Sequence, residues 1–179
     1  MGTKLLKKYV VKAQLRTVGN YMRVFRATQV GLDRDIELRV LDRSPAHSKE
    51  TFKRFKREFV TLARLDHPNI ARLLDFGLTA NHIYYTTDFR RSIPLEDLLL
   101  KVGAPLKTDE LVEVGLALSS ALAHIHEQGL LHNNISTSSV FYDLDNARPY
   151  IAEFSLMKDL EGSLSLTANE PVRSIRLKR

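Results

Sequence analysis

The chain has 179 residues, 44% hydrophobic and 27% charged, with 8 Gly, 6 Pro and neither Cys nor Trp. This is the composition of a globular protein, and the missing cysteine excludes disulfides, thiolate metal sites and a cysteine nucleophile. The net charge of +6 is uneven: residues 1–90 carry 18 Lys and Arg against 9 Asp and Glu, residues 91–172 carry 5 against 12, and four cations close the chain. The apolar runs are all broken well short of the roughly 20 residues a membrane helix needs, and the lysine-rich start lacks the apolar centre of a signal peptide. The expectation is a cytoplasmic protein without membrane contact.

Tyr9-Val10-Val11 opens a strand, and Met22 and Val24 mark a second, with Gly19-Asn20 as the hairpin turn between them. Gly31 marks the next turn. Ile36, Leu38 and Val40 then alternate with Glu37 and Arg39, the period of a third strand. Phe52, Phe55, Phe59 and Leu62 recur at helical spacing opposite Lys53, Arg54, Lys56 and Arg57. Asp66-His67-Pro68-Asn69 ends this helix, because proline disfavours the helical state of its predecessor. Two further strand-like runs, Ile70 to Phe76 and Ile83 to Thr87, complete an antiparallel sheet with one helix.

From Phe89 on the pattern is helical. Pro94-Leu95 starts a short helix through Lys101, and Thr108 is the expected N-cap of a longer one, with Asp109 and Glu110 in its first turn. Leu111, Val114, Leu118, Ala121, Leu122 and Ile125 form its apolar stripe, and Gly129 closes it. His124 and His126 are two apart and face different ways, so they do not form a metal pair. A polar loop from Asn133 to Ser139 leads to two short strands, Val140 to Tyr142 and Tyr150-Ile151, joined by a turn at Asp145-Asn146 to which Asp143 also belongs.

Four segments in order carry a family likeness: RFKREFVTLARLDHPNI, IYYTTDF, GLLHNNISTSSVFYD and YIAEFSLM. With them the chain resembles a bacterial, eukaryotic-like Ser/Thr protein kinase nearly end to end. The resemblance implies an α+β, two-lobed kinase-like fold. A complete N-lobe with antiparallel sheet and αC helix would span 1–89, and a partial helical C-lobe 90–157. An activation-segment-like tail, expected to be mobile, would span 158–179. It further implies ATP and Mg²⁺ as cofactors, with Gly19, Val24, Glu37, Arg39, Glu58, Thr87 and Asp88 at pocket positions and Glu153 at the metal-binding position.

The positions that carry the family's chemistry differ. Only Gly19 remains of the glycine-rich loop, which reads Thr17 to Met22. Arg39 stands at the phosphate-binding lysine and Glu37 at the small residue that lines the adenine pocket. A buried carboxylate there must be paired, so Glu37, Arg39 and Glu58 are expected to form a charge network filling the cleft. The catalytic loop reads His132-Asn133-Asn134, with amide Asn134 where a proton-accepting aspartate belongs. Ser136 and Ser139 replace its lysine and its metal-binding asparagine, and Glu153-Phe154-Ser155 stands for the DFG segment.

These changes leave none of His132, Asn134, Ser136 and Ser139 in an intact catalytic set. The expectation is a pseudokinase with weak or no ATP binding. It would act as a regulatory or scaffolding module through a protein partner or further domains of a longer chain. An atypical ATP-binding Ser/Thr kinase and a basic nucleic-acid-binding module are the alternatives.

Overall fold

The structure, a computed structural model, describes residues 8–18, 22–42, 49–79, 82–103 and 106–154. The Gly19-Asn20 turn, Ser155 and the tail 158–179 lie outside them.

Five strands form one antiparallel sheet: β1 (Tyr9–Val18), β2 (Met22–Gln29), β3 (Arg34–Asp42), β4 (Leu73–Leu78) and β5 (His82–Asp88), in spatial order β1-β2-β3-β5-β4. The expected first hairpin is present, with Val18 opposite Met22. Tyr9 Oη donates to Asp75 Oδ2 at 2.5 Å, so the two edge strands β1 and β4 meet through side chains. Burial and this hydrogen bond to Asp75 push the Tyr9 phenol far above its ordinary range. Tyr9, Ala27, Ile36, Leu38, Val40 and Tyr84 form the core enclosed there.

The single-residue alternation of β3 decides the rest. Ile36, Leu38 and Val40 enter that core, which turns Glu37 and Arg39 to the opposite face. On that side α1 (Lys49–Leu62) packs Phe59 and Leu62 against Val24, Leu73, Ile83 and Tyr85. Helix α1 stops at Leu62, ahead of the expected Asp66-His67-Pro68-Asn69 stop. The fourth strand begins at Leu73 rather than Ile70. Ile70 instead donates its N–H to His67 O and bridges Ile151, while Ala71 N–H goes to Ile151 O.

The second half holds α2 (Leu95–Val102), α3 (Thr108–Glu127) and a three-stranded sheet, β6 (Ser92–Pro94), β7 (Val140–Asp143) and β8 (Arg148–Ile151). Strand β6 is only three residues long, too short to show a strand pattern in the sequence. Pro94 is the cap of α2 rather than its first turn.

The N-cap of α3 is Lys107, one residue before the expected Thr108. Its N–H donates to Glu110 Oε2 at 2.9 Å, and that bond from the first turn fixes the helix start. Gly129 does end the helix, at φ 69°. The apolar stripe is narrower than expected: Val114, Ala121 and Ile125 are buried, but Leu111 is 59% exposed. Asp143 is buried, and its carboxylate accepts from Asp145 N, Asn146 N and Asn146 Nδ2, tying the expected turn. Burial alone would raise the Asp143 carboxyl, but these bonds outweigh it and hold it below its ordinary value.

Gly77 lies flat against Tyr84. A Cβ there would sit 2.4 Å from Tyr84 Oη and 2.5 Å from Cζ, far inside contact distance. Gly77→Ala is therefore expected to lower stability by about 1–3 kcal/mol through overpacking. Urea denaturation should show an unchanged slope and an earlier midpoint.

Candidate functional site

The inward face of β3 and the loop after β8 converge between the two halves of the molecule. Arg39 is fully buried, and its guanidinium pairs with Glu37 Oε2 at 2.9 Å and with Glu153 Oε2. Arg16, from β1, donates from Nη1 to Glu37 Oε1 at 3.1 Å and from Nη2 to Glu153 Oε1 at 3.0 Å. Two guanidinium groups thus alternate with two carboxylates, and their formal charges sum to zero. The Arg16 guanidinium also lies over the Phe141 ring of β7, 4.7 Å from its centroid.

The electrostatics follow from burial and pairing. Burial pulls the Glu153 carboxyl upward, but Arg39 and then Arg16 outweigh it and keep it below the usual carboxylate value. Burial works against the charge on Arg39, and Glu153 first among its neighbours more than restores it. The expected network gains members: Arg16 and Glu153 join Glu37 and Arg39, and Glu58 is half-buried on α1. Arg16 escapes sequence reasoning because its role depends on how β1 faces the other half. The demand of buried Glu37 for a cation was the only signal for it.

The loop below the cluster is held by its own hydrogen bonds. His132 is buried, and its Nε2–H donates to Ala152 O at 2.9 Å while Nδ1 accepts Asn134 N–H at 3.3 Å. That pattern fixes a neutral imidazole, packed on Phe154 at 4.6 Å. Asn134 Nδ2 donates to Glu153 O at 3.2 Å. Ser139 is buried and turned back on its loop: its hydroxyl accepts Ser136 N–H at 2.9 Å and donates to Ser136 O at 3.1 Å. Ser136 itself is exposed. Asn133 at φ 58° and Glu153 at φ 56° adopt the left-handed conformation, which costs a non-glycine residue of order 1–3 kcal/mol.

The remaining pocket positions are assembled but occupied structurally. Val24 is wholly inside the core and Thr87 is buried opposite Glu37. Asp88 accepts Arg72 N–H at 2.7 Å and pairs with Arg90 Nε at 2.7 Å. Arg90, which sequence reasoning also missed, donates on to Pro68 O and Ile70 O and lies over Tyr150. Gly19 lies outside the described residues. His124 stacks on His67 with ring centroids 5.4 Å apart, and burial, then His124, lowers the His67 pKa. Among the described residues there is no group of three His, Asp or Glu side chains placed to hold a metal.

A five-stranded sheet with one helix, joined through residues 89–91 to a half that holds two helices and a His-containing loop, defines a kinase-like fold. The protein kinase domain family matches residues 11–174, and the chain belongs to that family. It is similar to the serine/threonine-protein kinase PrkC of Bacillus subtilis (strain 168), 25% identical over 98% of this chain and 26% of that protein. It is 31% identical to the DNA damage-responsive serine/threonine-protein kinase RqkA of Deinococcus radiodurans, over 93% of this chain and 25% of that protein. The solved kinase domain of Mycobacterium tuberculosis PknI matches with a TM-score of 0.72 and 27% identity, covering 83% of this chain and 60% of that one. The chain thus spans about a quarter of the length of these curated relatives. Among the described residues no helix is long and apolar enough to cross a membrane.

The family uses ATP and Mg²⁺. The residues of this cleft do not fit that pair. Glu153 commits both carboxylate oxygens to guanidinium groups, and the Ser139 hydroxyl faces its own loop. Among the described residues Arg39, Leu73, Tyr85, Thr87 and Glu153 line a partly open cavity of about 10 Å³, room for a single water. The cleft stores paired charge instead of presenting free ligands.

Proposed function

We propose that this chain is the kinase-like part of a bacterial signalling protein that acts in the cytoplasm by binding, as a regulatory or scaffolding module, without phosphoryl transfer. The observation that carries the reading is the Arg16–Glu37–Arg39–Glu153 cluster, which commits Glu153, the carboxylate at the metal-binding position, to two guanidinium groups. The catalytic-loop asparagine supports it, because an amide cannot take the acceptor's proton. Its partner is a protein or a further domain of a longer chain.

The relatives' names favour a second reading, an atypical Ser/Thr kinase. One experiment separates the two. Thermal melting of the chain with millimolar ATP and MgCl₂ is expected to show no shift. A ligand present at 100 times its Kd would add about 2.7 kcal/mol and a shift of several degrees. A clear shift, with phosphate transfer to a protein substrate that Glu153→Gln abolishes, would establish the kinase reading.

A further inference from the structure

We infer that Arg16 is the latch of a lock between the two halves of the domain, in which protein charges take the bridging place between β1 and the loop after β8. The inference rests on the reading of this cleft as filled by its own side chains. Arg16 reaches Glu153, 137 residues away in sequence, and its guanidinium also lies flat on Phe141 of β7. Three of its contacts thus divide between the halves: Glu37 on the sheet, Glu153 and Phe141 on the other side.

Accessibility singles out Arg16 within the cluster. Its side chain is 24% exposed, against 5% for Glu37, 2% for Arg39 and 10% for Glu153. Among the described residues Arg16 is therefore the member of the cluster a partner reaches most readily. Its Nε is buried without an acceptor among the described residues, so the closed position leaves one donor unsatisfied. Such a defect lowers the penalty for swinging the side chain out to water. With Arg16 withdrawn, one guanidinium faces two carboxylates and the cluster carries an excess negative charge. Carboxylates left in excess repel one another, and separation of the halves relieves that repulsion. The device is two-state: latched and neutral, or open and anionic.

The test uses the absence of cysteine in the 179-residue chain. Thr17 on β1 and Ile135 on the loop below the cleft are both exposed, so Thr17→Cys and Ile135→Cys accept spin labels without native background. Pulsed electron resonance on the labelled chain is expected to give one short distance with Arg16 present. With Arg16→Met a second, longer distance should appear, and far-ultraviolet circular dichroism should be unchanged. Arg16→Lys keeps the charge but cannot bridge both carboxylates in the same way, so its long-distance population should lie in between.

A single short distance in both variants would overturn the latch. Should Arg16→Met fail to fold, Arg16→Lys decides alone, by the appearance or absence of the longer distance. Addition of Mg²⁺-ATP separates the two proposals. If nucleotide shortens the distance in Arg16→Met, the latch stands and the reading of the cleft as closed to nucleotide falls. If nucleotide changes nothing and the variants never open, the latch falls and that reading stands.

Discussion

Arg39→Met is expected to lower the stability of the chain by about 3–5 kcal/mol, the cost of removing one partner from a buried ion pair. The methionine fills much of the same volume, so cavity formation contributes little. The penalty comes from Glu37 and Glu153, which would keep only Arg16 between them. Against a typical total of 5–15 kcal/mol this is a large fraction. Chemical denaturation should show it as an earlier midpoint. The double variant Arg39→Met with Glu153→Gln is expected to lose less than the sum of the two single losses, because it no longer leaves two carboxylates facing one cation. Non-additivity of 0.5–3 kcal/mol is the usual range for residues sharing one network. Strict additivity would mean that Arg39 and Glu153 do not act as a unit.

The same residues show what a sequence can and cannot convey. The alternation along β3 is local, and it was enough to place Ile36, Leu38 and Val40 in one core and Glu37 with Arg39 on the other face. The requirement that a buried carboxylate be paired was also local chemistry, and it foretold a charge network. The partners were not local. Arg16 meets both Glu37 and Glu153 only because β1 closes over the second half, a consequence of how the sheet and the helical half dock. Two of the partners of Arg39 are Glu37, from its own strand, and Glu153, 114 residues further along the chain.

Element boundaries behaved similarly. Pro68 acts on its immediate predecessor, His67, and marks the end of the helical region, but α1 itself ends earlier, at Leu62. The delayed start of β4 depends on Ile70 and Ala71 pairing with Ile151, 80 residues or more away, and was not readable. Leu111 fits the periodicity of α3 but is exposed, because periodicity gives the direction of a side chain and not what lies in front of it. The left-handed backbone at Glu153 has no sequence signal, since glutamate rarely adopts it, whereas Asn133 is of a residue type that tolerates it.

Acidification should release the cluster at Glu153. Its folded carboxyl titrates below the ordinary glutamate value, so the folded protein binds fewer protons than the unfolded chain in that range. The stability contributed by Glu153 is then complete above the unfolded value of about 4.3 and is lost as pH falls through the lower folded value. Protonation leaves Arg16 and Arg39 against Glu37 alone, so the loss has a structural source as well as a thermodynamic one. Asp35, lowered to about 2 by Lys12 and Arg26, and Asp143 lose their own stabilisation on the same acid side. The wild-type chain therefore cannot assign the slope to one residue, but a comparison can. Glu153→Gln is expected to be less stable than wild type at pH 7, with the gap narrowing steadily between pH 5 and the acid transition. Denaturation midpoints measured across that range give the gap directly. A constant gap would show that the Glu153 charge contributes nothing to holding the halves together, and that its side chain acts through shape and hydrogen bonding alone.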